Sequence, residues 1–138
     1  MKRLSRVLVC LAMLLVALEA LPASAQTVPK TAVFAIVIGN NRSLELGRPD
    51  LRYADDDAAK YVELFRMVAA ERDVRLLTTF DGDSEKLYPK LATIARPPTK
   101  RALLAETADV ERRMREAARS GAPIEFYFVY AGHGDVGA

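Results

Sequence analysis

His133 is the single histidine of the 138-residue chain, and its setting makes it a candidate for proton transfer. Tyr130-Ala131-Gly132 precede it and Gly134 follows. The run Ile124-Glu125-Phe126-Tyr127-Phe128-Val129-Tyr130 leads into it and reads as the strongest strand of the chain. Ligands of open α/β sheets gather at the carboxyl ends of strands, which is where His133 falls. Glycines on both sides let the backbone turn sharply and approach a substrate. A neutral imidazole there can take a proton from a thiol or hydroxyl near neutral pH. The N–H of Gly134 can face a developing oxyanion, a contact worth about 3 kcal/mol of transition-state stabilisation. A histidine filling a tight turn needs no chemistry. The strand end, the two glycines and the Tyr-Ala-Gly-His-Gly context favour the chemical reading.

Three other groupings are weaker. Asp55-Asp56-Asp57 could be read as a metal site. Adjacent carboxylates on a helix do not converge, and no second cluster completes a shell. A helix start, with Asp55 or a neighbour capping free N–H groups, explains them better. Gly39-Asn40-Asn41 lacks the spacing of a dinucleotide or phosphate loop and reads as a plain turn. Arg42, Arg48 and Arg52 lie in or beside the first long loop, on the rim that carries His133. They could hold an acidic substrate side chain bidentately, although solvated surface charge is the simpler account.

The elements that position these residues alternate. Residues 32–38 form a continuous apolar run ending at Gly39, which predicts a strand buried on both faces. A polar loop through Gly47-Arg48-Pro49-Asp50 follows. Ala58, Val62, Phe65 and Ala69 then mark one apolar helix face. Residues 74–79 predict a second strand, stopped by Asp81-Gly82-Asp83. Residues 84–98 read as irregular or partly helical. Thr99 is the expected cap of the next helix, whose apolar face is Leu103, Thr107, Val110, Met114 and Ala117. Ser120-Gly121 end it. The order strand–helix–strand–helix–strand predicts an α/β fold, a parallel sheet with helices on both faces. Its last and most apolar strand would carry a free edge, which native domains avoid. A second copy or a further segment of chain is expected to cover it.

Composition sets the outer limits. The chain is 51% hydrophobic and 28% charged, a globular balance for one small domain. The net charge of +2 comes from Lys2, Arg3 and Arg6. Beyond residue 25 basic and acidic residues balance, so no basic stripe points to nucleic acid. Residues 1–25 read as a secretory signal peptide: a basic start, an apolar run over 7–18, then Ala23-Ser24-Ala25 as a cleavage site. The run is short for a membrane span, which needs about 20 residues. Cleavage, with residues 26–31 as a linker, would export the protein without a stable membrane span. Cys10, the one cysteine, would leave with the signal.

The motifs resemble the caspase-like peptidases, the group of caspases, metacaspases and paracaspases. The apolar strand with Gly39-Asn40 is similar to that family's first strand and loop. Leu51-x-Tyr53-Ala54-x-x-Asp57-Ala58 is similar to its following helix start. Residues 126–134, ending Ala131-Gly132-His133-Gly134, are similar to its third strand and catalytic turn. The resemblance covers residues 31–135. It implies a three-layer caspase-like sandwich with a mostly parallel sheet, of which residues 32–138 would supply the first three strands. It implies a cysteine endopeptidase acting on polypeptides, with His133 as catalytic base, Gly134 as part of the oxyanion hole, and no cofactor or metal. The family's cysteine follows a further strand, so this chain alone is expected to be inactive. A non-catalytic caspase-like binding module is the alternative. An α/β-hydrolase fragment is less favoured, because its histidine heads a longer glycine run and it needs a Gly-x-Ser-x-Gly segment.

Overall fold

The computed structural model describes residues 30–43 and 48–134. The expected signal peptide, most of the expected linker, Cys10 and the segment 135–138 lie outside the described residues. Three strands form one parallel sheet: β1 (Ala32–Asn40), β2 (Val74–Thr78) and β3 (Ile124–Gly132). Their order is β2-β1-β3, so β1 is central. The β1–β3 register runs from Ala32 opposite Ile124 to Asn40 opposite Gly132. Among the described residues four α-helices join them, α1 (Ala54–Arg66), α2 (Gly82–Leu87), α3 (Pro89–Ala92) and α4 (Lys100–Arg119), with a 3-10 turn at Glu71–Asp73 before β2.

The alternation of β1 divides the core into two halves. Ala35 and Val37 face α1, where Ala58, Ala59, Val62 and Phe65 meet Val74, Leu76 and Leu91. Phe34, Ile36 and Ile38 face α4 and pack with Leu77 and Val110. Helices therefore cover both faces, which explains why β1 is apolar from Ala32 to Ile38 instead of alternating. Each fully buried aliphatic side chain of these layers, such as Ile36, Val62 or Leu77, stabilises the fold by about 1.5–3 kcal/mol.

The strands match the expected α/β arrangement, with β1 and β3 each two residues longer than their apolar runs. The cap of α4 is also as expected, with Thr99 Oγ1 accepting from the Ala102 N–H at 3.1 Å. Residues 84–98 are partly helical, as expected: α2 and α3 occupy about half of the stretch, and Arg96 bridges to the outer edge of β2 at Leu77. Two expectations are corrected. Thr107 is exposed and Glu106 is buried in its place. Glu106 reaches the Arg75 Nε and the Arg96 Nη1, both at 2.7 Å, so two guanidinium groups compensate its burial. No aspartate caps α1. Its N-cap position is Tyr53, which makes no side-chain cap. The Ala54 N–H instead donates to Asn41 Oδ1 at 2.8 Å, from the loop after β1.

α1 starts hard against the end of β1. A Cβ on Gly39 would lie 2.5 Å from the Ala54 carbonyl oxygen and 2.7 Å from the Ala58 Cβ. Glycine is required there because backbone meets backbone. Gly39→Ala should therefore destabilise the fold by about 1–3 kcal/mol, the usual cost of overpacking, read as a lower denaturant midpoint.

Candidate functional site

The carboxyl ends of the strands form one rim, organised around Asp55. This side chain is fully buried. Its Oδ1 accepts from Asn41 Nδ2 at 2.7 Å and its Oδ2 from the Asp81 N–H at 3.0 Å. One carboxylate thus ties the loop after β1 to the start of α1 and the loop after β2. Asn41 closes its own loop as well, its carbonyl accepting from the Leu51 N–H at 2.7 Å. Asp81 in turn caps α2, accepting from the N–H groups of Asp83 at 2.9 Å and Ser84 at 2.8 Å.

His133 leaves the sheet at the end of β3, next to this loop, since Gly132 pairs with Asn40. Its turn is held by two side chains. Tyr130 Oη donates to the His133 carbonyl at 3.2 Å. Arg48 Nη1 donates to the Gly134 carbonyl at 3.2 Å across 86 residues of chain. The imidazole is partly buried, and its Nε2 is enclosed with no hydrogen-bond partner among the described residues. An enclosed polar atom without a partner forfeits about 1–3 kcal/mol.

The expected site residues therefore separate into two groups. His133, Gly134 and Arg48 come together. Arg42 lies across β1's end from them, in an open depression with Asn40, Asp50, Phe80 and Pro98. Arg52 is exposed and makes no polar contact with the turn. Asp55, Asn41 and Tyr130 are the residues that sequence pattern alone passed over. The Asp55-Asp56-Asp57 run was visible, but nothing in it distinguishes the buried carboxylate from its neighbours. No cluster of three or more metal-ligating side chains occurs among the described residues. None of their helices is long and apolar enough to cross a membrane.

A second groove, of about 690 Å³, follows the outer edge of β2 between Arg66, Arg72, Arg75, Ile94 and Arg96. Its acids are engaged: Glu71 pairs with Arg66, and Asp109 with Arg75 and Arg112. The hydrogen bond from Arg112, and then that from Arg75, holds the Asp109 carboxyl below its ordinary value.

Comparison with protein-family models, with curated proteins and with solved structures gives no match.

Two outcomes are expected of this rim. Asp55→Ala leaves the Asn41 amide and the Asp81 N–H without their acceptor. It should cost about 1–3 kcal/mol per stranded group in chemical denaturation. The Asp81 carboxyl sits below its ordinary value of 3.8, chiefly because the Ser84 N–H and then the Asp83 N–H donate to it. A lowered folded-state value adds stability that is complete above the unfolded-state value and lost as pH falls through the folded one. Melting temperature should therefore decline with acidification below about pH 5, and Asp81→Asn should flatten that decline.

Proposed function

We propose that this chain carries part of an exported caspase-like cysteine endopeptidase, with His133 as the general base. The observation that carries the reading is the Nε2 of His133, enclosed and without a hydrogen-bond partner among the described residues, on a glycine-flanked turn at the carboxyl end of a parallel strand. A thiol brought against Nε2 would supply a hydrogen-bond partner for it. The imidazole would take the thiol proton, and the thiolate would attack a peptide carbonyl. A carbon–sulfur bond forms as the oxyanion develops, facing the Gly134 N–H. The tetrahedral centre then collapses, the carbon–nitrogen bond breaks, and the imidazolium gives its proton to the departing amine. Water, deprotonated by the same imidazole, hydrolyses the thioester.

Residues 26–138 contain no cysteine, so the thiolate has to come from residues beyond them. The exposed strand β3 gives such residues a place to join the sheet. On one face of β3, Phe126 is 44% exposed, Phe128 54% and Tyr130 50%, and the strand's outer edge pairs with no other strand among the described residues.

Active-site labelling of the full-length protein tests the reading. Iodoacetamide should label and inactivate it, a fluorophosphonate should not, and His133→Ala should lower turnover by roughly a thousandfold or more. Labelling by the fluorophosphonate alone would sink the cysteine mechanism. Turnover undiminished in His133→Ala would remove His133 from it.

A further inference from the structure

The peptide joining His133 to Gly134 is planar and trans, so its carbonyl and its N–H point in opposite directions. Whatever holds the His133 carbonyl therefore aims the Gly134 N–H. Tyr130 Oη is the group that holds it, at 3.2 Å. The next peptide plane is held too, because Arg48 Nη1 meets the Gly134 carbonyl at 3.2 Å. Both planes that flank the Gly134 Cα are thus tied to side chains from elsewhere.

The surroundings show how the clamp is built. Phe126 and Phe128 share a face of β3 with Tyr130, and only Tyr130, nearest the turn, carries a hydroxyl there. Its ring lies back over Gly132. A Cβ on Gly132 would sit 2.6 Å from Tyr130 Oη and 2.7 Å from its Cζ. Gly132 is the vacancy that admits the ring. Gly134 is different: a Cβ there would meet nothing within 4 Å, and its φ is not positive. Neither crowding nor a left-handed backbone fixes its orientation. A glycine left to itself samples a wide range of torsions, so an N–H that must point one way needs outside restraint.

We propose that Tyr130 and Arg48 are positioning residues that preorganise the Gly134 N–H as an oxyanion donor. The inference rests on the peptidase reading given above. Neither side chain needs to touch the substrate. Each acts by holding one carbonyl, so that the donor is in place before the oxyanion forms. Preorganisation of this kind is what makes such donors effective, since no reorientation is required as charge develops.

The test uses the full-length protein with fluorescein-labelled casein as the probe. Tyr130→Phe removes the hydroxyl and keeps the ring. It should lower kcat about tenfold, short of the hundredfold or more that loss of a donor itself costs, with KM and melting temperature unchanged. Gly132→Ala keeps the hydroxyl and displaces the ring, and should lower kcat similarly. The 15N order parameter of the Gly134 amide should fall from about 0.85 to below about 0.6 in both variants. Wild-type turnover with kcat and Gly134 order unaltered in Tyr130→Phe would overturn the clamp and leave the peptidase reading standing. Absence of turnover in the wild type would overturn the peptidase reading, and with it the proposed use of the clamp.

Discussion

The buried carboxylate of Asp55 is the constraint on which the rim depends. Three segments far apart in sequence meet on it: the loop after β1, the first turn of α1 and the loop after β2. Apolar packing holds the start of α1 through Ala54 and Ala58 and the loop after β2 through Phe80, and the hydrogen bonds to Asp55 tie the two to the loop after β1. Hydrogen bonds to a charged group are worth more than neutral ones, about 1.5–3 kcal/mol each, and burial keeps water from competing for them. Asp55 lies where the dipole of α1 favours a negative charge, which lowers the cost of burying it. The loop that Asn41 anchors is also the loop that carries Arg48 to the His133 turn. A carboxylate on α1 is in this way linked to the geometry of a turn on β3.

Beneath the rim, the layers divide the work between apolar packing and ion pairs. β1 is covered on both faces and both edges, and its side chains supply the centre of each half of the core. α4 is fastened to β2 by charge as well: Arg75 and Arg96 grip Glu106, and Arg113 reaches Asp73 at 2.5 Å. Glu106 is nearly fully buried, so its pairing offsets a desolvation cost more than it adds net stability. β3 is the least buried strand, its aromatic side chains half exposed; Tyr127 rests against Phe65 of α1 at 5.0 Å between rings, and Ile124 and Val129 pack at the margins of the two core halves.

How much of this was legible in the residues follows from what each feature depends on. The strands were legible because a strand buried on two faces writes itself as an unbroken apolar run. The Thr99 cap was legible because its partner, Ala102, is local. Asp55 was not, because its partners lie 14 and 26 residues away and no spacing rule connects them. Local rules assigned the aspartates to capping, whereas the cap of α1 came from Asn41. Glu106 was missed for a related reason. Periodicity placed Thr107 on the inner face, and only the three-dimensional convergence of Arg75 and Arg96 makes a buried glutamate tolerable. At the site, the position and flanking glycines of His133 could be read directly. The restraint by Tyr130 and Arg48 required coordinates.

The sheet order has a consequence for how the molecule assembles. β1, α1 and β2 are consecutive and can close on one another early, since their contacts span short loops. β3 must return past both of them to pair with β1, so that Ala32 meets Ile124 from near the opposite end of the described chain. This is the pairing with the greater loop-closure entropy, and it is offset by a register that runs the full length of β1, longer than that of β1 with β2. The His133 turn exists only once that pairing is made. It therefore depends on the docking of β3, whose side chains are the most exposed of the three strands. The proposed chemistry of His133 would thus be a property of strand docking, and a partner paired to the β3 edge would also govern how long the turn persists.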